Sequence, residues 1–255
     1  MAQERALPSV VERMWGREPV TRRGPRPRLN LAAITAAAIE IADAEGLAGV
    51  SMAAVAARVG VAATALYRYV ESKEDLLTAM ADAAAPLPPE PEGRTWREYL
   101  AVWTRTHRDI LLDRPWLLSV AGSVPPMGPR RLLWLDRALA SLDGTGLDDG
   151  EKINVASALT GYALTDAALV HAVAGGDPRM EEAGIKGAAD YGEVLAGVLD
   201  PETYPALSAA MRSGAMRGAE GWMDDGDFVF GLDLLLDGIE ALIRRRALEG
   251  HGGGE

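Results

Sequence analysis

Apolar residues recur at helical spacing in every sustained segment of this chain, and no segment shows the alternation that is typical of a strand. The first such segment runs from Leu31 to Glu45, where Asn30 is suited to the N-cap and Gly46 to the helix end. The pattern predicts an all-α protein whose first helix packs through one apolar stripe.

Two short helices separated by one glycine are predicted over residues 51–70. Ser51 is suited to cap the first helix, and Gly60 follows its last apolar position, where a positive φ ends a helix at low steric cost. Residues 62–70 then form a second short helix that holds Leu66 inward. Two short helices joined by a glycine-containing turn are the helix-turn-helix plan, whose second helix enters the major groove of DNA.

Many positions at fixed spacing between residues 31 and 77 match one known motif. They are AIEIADAEGL at 38–47, SM at 51–52, VA at 55–56, VGV at 59–61, LYRYV at 66–70 and SKEDLL at 72–77. This combination resembles the DNA-binding domain of TetR-type transcriptional repressors. The run FVFGLDLLLDGIEALI at 228–243 also resembles the last helix of that family, while the rest of the chain after residue 85 resembles it only loosely.

Proline and glycine clusters divide the remaining chain. A fourth helix begins at Ser72 and ends near Ala85, before the proline cluster at 86–91 that marks a domain boundary. The periodicity predicts further helical segments at 96–113, 116–120, 130–142, 148–174, 187–198, 203–213 and 224–246, with a loop at 175–186. We therefore expect an N-terminal arm over 1–28, a helix-turn-helix domain with a linking fourth helix over 29–85, and a larger helical domain over 92–248.

Charge is distributed unevenly along the 255 residues, whose net charge is −11. Residues 1–80 sum to +1 and residues 81–255 to −12, so an acidic C-terminal part would confine DNA to the N-terminal part. The absence of cysteine excludes disulfides and thiolate metal sites. The N-terminus lacks a signal-peptide pattern, and acids interrupt the apolar run 228–243, so we expect a cytoplasmic protein that does not span a membrane.

Five arginines and three prolines crowd residues 17–28. Beside a helix-turn-helix, such an arm can follow the phosphate backbone or enter the minor groove. A disordered solubilising tail is an equally open interpretation. The candidates for DNA contact in this arm are Arg22, Arg23, Arg26 and Arg28.

The resemblance implies phosphate contacts by Tyr67 and Lys73, which Ser51 can join. Ala62, Ala63 and Thr64 occupy the start of the recognition helix, where the family usually has polar side chains; they can touch thymine methyls but read guanine poorly. Arg68 can bind guanine with two hydrogen bonds or contact a phosphate, and both uses stay open. Tyr69 completes the set of candidate DNA contacts.

The last predicted helix carries a heptad seam, and the long helix at 148–174 is apolar on two sides. The resemblance implies that these two helices form a homodimer, while an intrachain core is the alternative. The candidate interface residues are Leu159, Ala163, Phe228, Leu232, Leu235, Ile239 and Leu242.

Large aromatic side chains in the helical domain suggest a pocket for a small-molecule effector. For each candidate taken singly, a core residue that only packs is the favoured interpretation, since Trp and Met at helical spacing usually pack. The candidates are Trp103, His107, Trp116, Met127, Trp134, Tyr162 and Asp166.

Enzyme motifs are missing from the sequence. It contains no Gly-x-Ser-x-Gly elbow and no phosphate-binding loop, and its three histidines lack zinc-site spacing. We expect no catalytic residue, no metal and no cofactor. The favoured interpretation is a dimeric repressor that a small molecule releases from a palindromic operator. A DNA-binding regulator controlled by a protein partner or by its abundance is the alternative, and an all-helical enzyme is a remote one.

Overall fold

The structure is a computed structural model that describes residues 7–17, 29–91, 93–121, 125–176, 178–214 and 225–252. Every regular element in these ranges is helical, which confirms the all-α prediction. The α-helices are α1 (Ser9–Met14), α2 (Leu31–Gly49), α3 (Met52–Val59), α4 (Ala63–Leu66), α5 (Lys73–Ala84), α6 (Trp96–Asp113), α7 (Leu118–Ala121), α8 (Pro129–Ser141), α9 (Asp149–His171), α10 (Pro178–Glu182), α11 (Ala188–Val198), α12 (Pro205–Ser213) and α13 (Asp225–Gly252).

The helices fall into two compact units. The first unit is Met1–Pro91 with Trp116–Ala140, and the second is Glu92–Pro115 with Ser141–Glu255. In the first unit α2 packs against α3 and α5, and α3 packs against α4. In the second unit α6, α9 and α13 pack against one another.

Helix α8 belongs to the first unit through its contacts with the end of α5. The buried carboxylate of Asp82 accepts hydrogen bonds from the backbone N–H of Arg131 at 2.9 Å and of Arg130 at 3.4 Å. A carboxylate there satisfies free amides at the start of α8 and complements the helix dipole. Trp134 Nε1 also donates to the Pro86 carbonyl at 2.8 Å. Residues 116–140, which lie within the domain expected at 92–248, therefore pack with the N-terminal helices.

Several helix boundaries follow local capping. Asn30, Ser51 and Ser72 each accept a hydrogen bond from the backbone N–H three residues later, and they begin α2, α3 and α5. Gly46 breaks α2 with φ of 68°, and Gly60 ends α3 with φ of 74°.

Four segments differ from the sequence prediction. Helix α1 was not predicted, because its buried pair Val10 and Val11 is too short to show a period. Helix α4 ends at Leu66 and not at residue 70, since the Tyr69 amide bonds the Leu66 carbonyl at 2.8 Å and tightens the chain into a turn. Helix α10 lies in the predicted loop at 175–186, and α13 runs beyond the predicted end at 246 to residue 252.

One stretch of the described chain, Asp149–Glu182, is long and apolar enough to cross a membrane by length and composition alone. A single such helix is weak evidence of a membrane span, because core helices pass the same test.

Candidate functional site

Buried apolar side chains hold the helix-turn-helix of the first unit in place. Val55 of α3, Leu66 of α4 and Val70 are buried, and Ser51 caps α3 through the Ala54 amide at 3.1 Å. Helix α4 is only four residues long, so its orientation depends on this packing more than on its own hydrogen bonds.

The opposite side of α4 faces solvent. Ala62 and Thr64 are exposed and Ala63 is half-buried, so the structure displays the short side chains at the expected base-reading positions. Arg68 is also exposed and has no ion-pair or hydrogen-bond partner among the described residues. It is the one long donor among these side chains, as the sequence suggested.

Tyr67 and Lys73 flank this surface. Tyr67 is 51% exposed, and Lys73 is the exposed first residue of α5, with no ion-pair partner in the described part of the chain. Ser51 is exposed, although its hydroxyl oxygen already accepts the capping bond. These three side chains are all exposed to solvent, which a phosphate contact would require.

Tyr69 has a structural environment. Its hydroxyl donates to the Leu29 carbonyl at 2.9 Å, and the Arg13 guanidinium lies 5.5 Å from its ring centroid. Because Leu29 lies two residues before the start of α2 and Arg13 lies in α1, Tyr69 connects both segments to the turn that follows α4. The arm residues Arg22, Arg23, Arg26 and Arg28 lie outside the described residues.

The candidate effector residues are divided between the two units. Trp116, Met127 and Trp134 lie in the first unit. There Trp116 Nε1 donates to Asp43 at 2.7 Å, and the Met127 carbonyl accepts from Trp15 Nε1 at 2.9 Å. The Trp116 indole and the Met127 carbonyl therefore form hydrogen bonds within the first unit.

The other four candidates lie in the second unit. Trp103 is buried and meets the His107 ring edge-on at 5.5 Å between centroids. Tyr162 stacks on Phe228 at 5.2 Å and donates its hydroxyl to the Phe228 carbonyl at 2.9 Å. A Cβ added at Gly231 would overlap the Tyr162 hydroxyl, so this glycine is required for the close approach.

The buried guanidinium of Arg108 was not predicted from the sequence, and it contacts Asp166 and Phe228. Its Nε donates to Asp166, its Nη1 donates to Asp225 at 2.7 Å, and its Cζ lies 4.6 Å from the Phe228 ring centroid. We call Arg108, Asp166, Asp225 and Phe228 the Arg108 cluster. One signal was available: Arg108 lies four residues after the buried Thr104 and eight after the buried Leu100, on one stripe of α6.

Two pKa shifts describe the electrostatics of this cluster. Burial of the Arg108 guanidinium opposes its charge, but the hydrogen bonds that it donates to Asp166 and Asp225 outweigh that effect and raise the pKa of Arg108. Burial, assisted by the nearby Asp166 charge, raises the pKa of Tyr162. Arg108 is therefore a permanent cation, and Tyr162 stays a neutral hydrogen-bond donor.

The predicted dimer residues are mostly inside the second unit. Phe228, Leu232 and Ile239 of α13 are buried within one chain, as are Leu159 and Ala163 of α9, whereas Leu235 and Leu242 are half-buried. This burial favours the intrachain alternative for the five buried residues, because they have almost no surface left to cover.

Two family profiles match the chain. Residues 34–80 match the family described as bacterial regulatory proteins, tetR family, and residues 87–243 match the tetracyclin repressor-like C-terminal domain.

Three similar proteins illustrate the relationship. The HTH-type transcriptional repressor DrrR1 of Streptomyces coeruleorubidus is 33% identical over 252 residues, which cover 93% of this chain and 87% of that protein. The HTH-type transcriptional repressor Rv1353c of Mycobacterium tuberculosis is 27% identical and covers 88% of this chain and 85% of its own. The TetR family protein ActR of Streptomyces coelicolor, solved in complex with actinorhodin, superposes with a TM-score of 0.67 at 24% identity, over 86% of this chain and 99% of that chain. The sequence profiles, the identity with DrrR1 and the helix-turn-helix geometry together show that this chain belongs to the TetR family of transcriptional regulators.

Proposed function

We propose that this protein is a cytoplasmic, dimeric repressor that binds a palindromic DNA operator and leaves it when a small molecule binds. The observation that carries the proposal is the exposure of Thr64 in α4 and of Tyr67 and Arg68 directly after it. The buried side chains of Val55, Leu66 and Val70 support this surface. The relatives named as HTH-type transcriptional repressors support it.

The central test is selection of bound duplexes from a random DNA pool by the full chain. We expect an enriched palindrome, because two recognition helices related by a two-fold axis read two equal half-sites. A pool without any enriched sequence would overturn the proposal.

In this proposal Tyr67 and Lys73 bind phosphates, Arg68 reads guanine and the arm arginines follow the backbone. Arg22, Arg23, Arg26 and Arg28 can be changed to Gln together, which leaves the packed helix α1 intact. Every phosphate that the arm no longer neutralises should reduce the slope of log affinity against log salt by about 0.9. An unchanged slope would show that the arm does not contact DNA.

The proposed dimer uses surfaces of α9 and α13 that remain exposed in one chain. On α9 they include Ile153, Gly161 and Leu169, and on α13 they include Phe230 and Leu234. Small residues such as Ala158, Gly161 and Thr165 at steps of three and four allow close helix approach.

Gly161→Arg tests this surface, since a Cβ there meets no atom within 4 Å in the single chain. We expect sedimentation to show a monomer with an unchanged circular dichroism spectrum. Val198→Arg on the exposed face of α11 is the matched control and should stay dimeric. A dimeric Gly161→Arg protein would exclude this face.

The small-molecule part of the proposal is supported by the separate helical unit and by ActR, whose fold this chain shares. Cell extracts can be fractionated and each fraction tested for release of the protein from its selected operator. The active fraction would identify the effector. If only protein fractions release the DNA, a protein partner regulates the chain. If no fraction releases it, regulation is by abundance.

A further inference from the structure

Helix α1 packs against α5 through two buried side chains. Val10 is 2% exposed and Val11 is 4% exposed. A helix of six residues is not stable through its own hydrogen bonds, so packing and side-chain contacts fix the position of α1. These side-chain contacts reach two other parts of the first unit.

One set of contacts lies on the turn that follows α4. The Ser9 hydroxyl donates to Glu71 Oε1 at 2.6 Å, and the Arg13 guanidinium lies 5.5 Å from the ring centroid of Tyr69. Tyr69 directly follows Arg68, the exposed long donor of the recognition surface. Helix α1 therefore contacts the chain next to the residues that are proposed to bind DNA.

The other contact lies at the start of α8. Trp15 directly follows α1, and its Nε1 donates to the Met127 carbonyl at 2.9 Å. The next residue, Gly128, lies so close to α5 that an added Cβ would overlap the Asp82 carboxylate. The chain on both sides of residues 116–140 continues into the second unit. Trp15 thus contacts a segment that the second unit can move.

We propose that α1 is a positioning element that connects residues 127–128 to the turn after α4, with Ser9 and Trp15 as its positioning residues. This inference rests on the proposed DNA-binding function and names residues that set operator affinity from outside the recognition surface.

The turn after α4 depends on such support. Leu66 and Val70 are buried at its ends, and the amides of Tyr69 and Val70 both bond the Leu66 carbonyl, at 2.8 and 3.0 Å. Between these ends Tyr67 and Arg68 are exposed. A turn that samples other arrangements lowers operator affinity in proportion to the fraction that is competent to bind. The contacts of α1 with this turn restrict that sampling.

Residues 127–128 are joined to the turn in two ways. The first is α5, which carries Asp82 near its end and begins two residues after Glu71. The second is α1, through Trp15 and Ser9. When residues 127–128 move, α1 either follows them or loses the bond from Trp15. Each outcome changes the support of the recognition surface.

The test measures amide hydrogen exchange of Tyr69 and Val70 in the full chain by nuclear magnetic resonance. Trp15→Phe removes the donor and keeps an aromatic ring, and Ser9→Ala removes the hydroxyl. We expect exchange of both amides to be faster in each variant by about two- to tenfold, the factor that corresponds to one net hydrogen bond. Affinity for the selected operator should fall within the same range, because the competent fraction of the turn falls.

Two controls separate positioning from general stability. Leu7→Ala changes an exposed residue before α1 and should leave both amides and the operator affinity unchanged. The Ile41 amide inside α2 should keep its exchange rate in all three variants. Equal acceleration at Ile41 would show general destabilisation and overturn the inference.

Three further results would overturn it. The first is unchanged exchange of Tyr69 and Val70 in Trp15→Phe. The second is faster exchange in Ser9→Ala alone, since α1 would then support the turn without a connection to Met127. The third is operator affinity in Trp15→Phe that equals or exceeds that of the natural chain.

Selection of DNA by the natural chain tests the proposed function separately, because the exchange measurement needs no DNA. A palindromic operator that Trp15→Phe binds with natural affinity overturns only the role of α1. Faster exchange of the Tyr69 and Val70 amides in a protein that selects no DNA sequence overturns the proposed function and leaves the connection between Met127 and the turn.

Discussion

The recognition element between Ser51 and Lys73 and the Arg108 cluster use polar side chains in opposite ways. In the recognition element the capping bonds of Ser51 and Ser72 span three residues, and Arg68 is exposed. In the cluster Arg108 is buried, and its partners are 58 and 117 positions away. Substitution of the exposed Arg68 should therefore change DNA binding without a change in the free energy of unfolding. Substitution of the buried Arg108 should change the free energy of unfolding itself.

The largest expected effect tests the second half of this comparison. Arg108→Met leaves Asp166 with an uncompensated charge of low exposure, and we expect a loss of about 3–5 kcal/mol of unfolding free energy. Chemical denaturation measures it. Arg105→Met, on the exposed side of the same helix, should change stability by less than about 0.5 kcal/mol.

The double variant Arg108→Met with Asp166→Asn identifies the cause of that loss. It removes the unpaired charge and should recover part of the stability of Arg108→Met alone. If Arg108→Met unfolds at the same denaturant concentration as the natural chain, the cluster is not a stabilising element.

The next effect tests the first half. Arg68→Ala should lower affinity for the selected operator by about 1–3 kcal/mol and relax preference at one base position. Its unfolding free energy should stay within about 0.5 kcal/mol of the natural value. The matched control is Arg58→Ala on α3, which removes the exposed ion pair between Arg58 and Glu40 of α2. Equal losses on operator and random DNA would show that Arg68 contacts a phosphate.

The smallest effect compares two tyrosines that are two residues apart. Tyr69→Phe removes the hydrogen bond to the Leu29 carbonyl and should cost about 0.5–1.5 kcal/mol of stability in thermal unfolding. Tyr67→Phe should leave the melting temperature unchanged and weaken DNA binding, because its ring is exposed. The reverse assignment of the two effects would contradict the roles proposed here.

Local interactions explain how much of the fold was predictable. Asn30, Ser51 and Ser72 cap helices through bonds to residues three positions later, so the starts of α2, α3 and α5 are visible in the sequence. Gly46 and Gly60 mark helix ends for an equally local reason, their positive φ. The exposed positions of Tyr67, Arg68 and Lys73 follow from the apolar spacing around them.

Long-range contacts explain what was missed. The seam that begins at Phe228 has the same spacing whether it faces its own chain or a second copy, and only the packing of α6, α9 and α13 shows that Phe228, Leu232 and Ile239 are intrachain. The dimer proposal moves for that reason to other faces of α9 and α13.

The sequence alone determined that this chain is helical, that it carries a helix-turn-helix and that few long donors serve its recognition surface. The tertiary structure decided that Tyr69 anchors Leu29, that α8 packs with the N-terminal helices and that Arg108 meets Asp166 and Asp225. The physical reason is distance along the chain. Caps and apolar periods act over a few residues, whereas the partners of a buried charge are chosen by how whole helices pack.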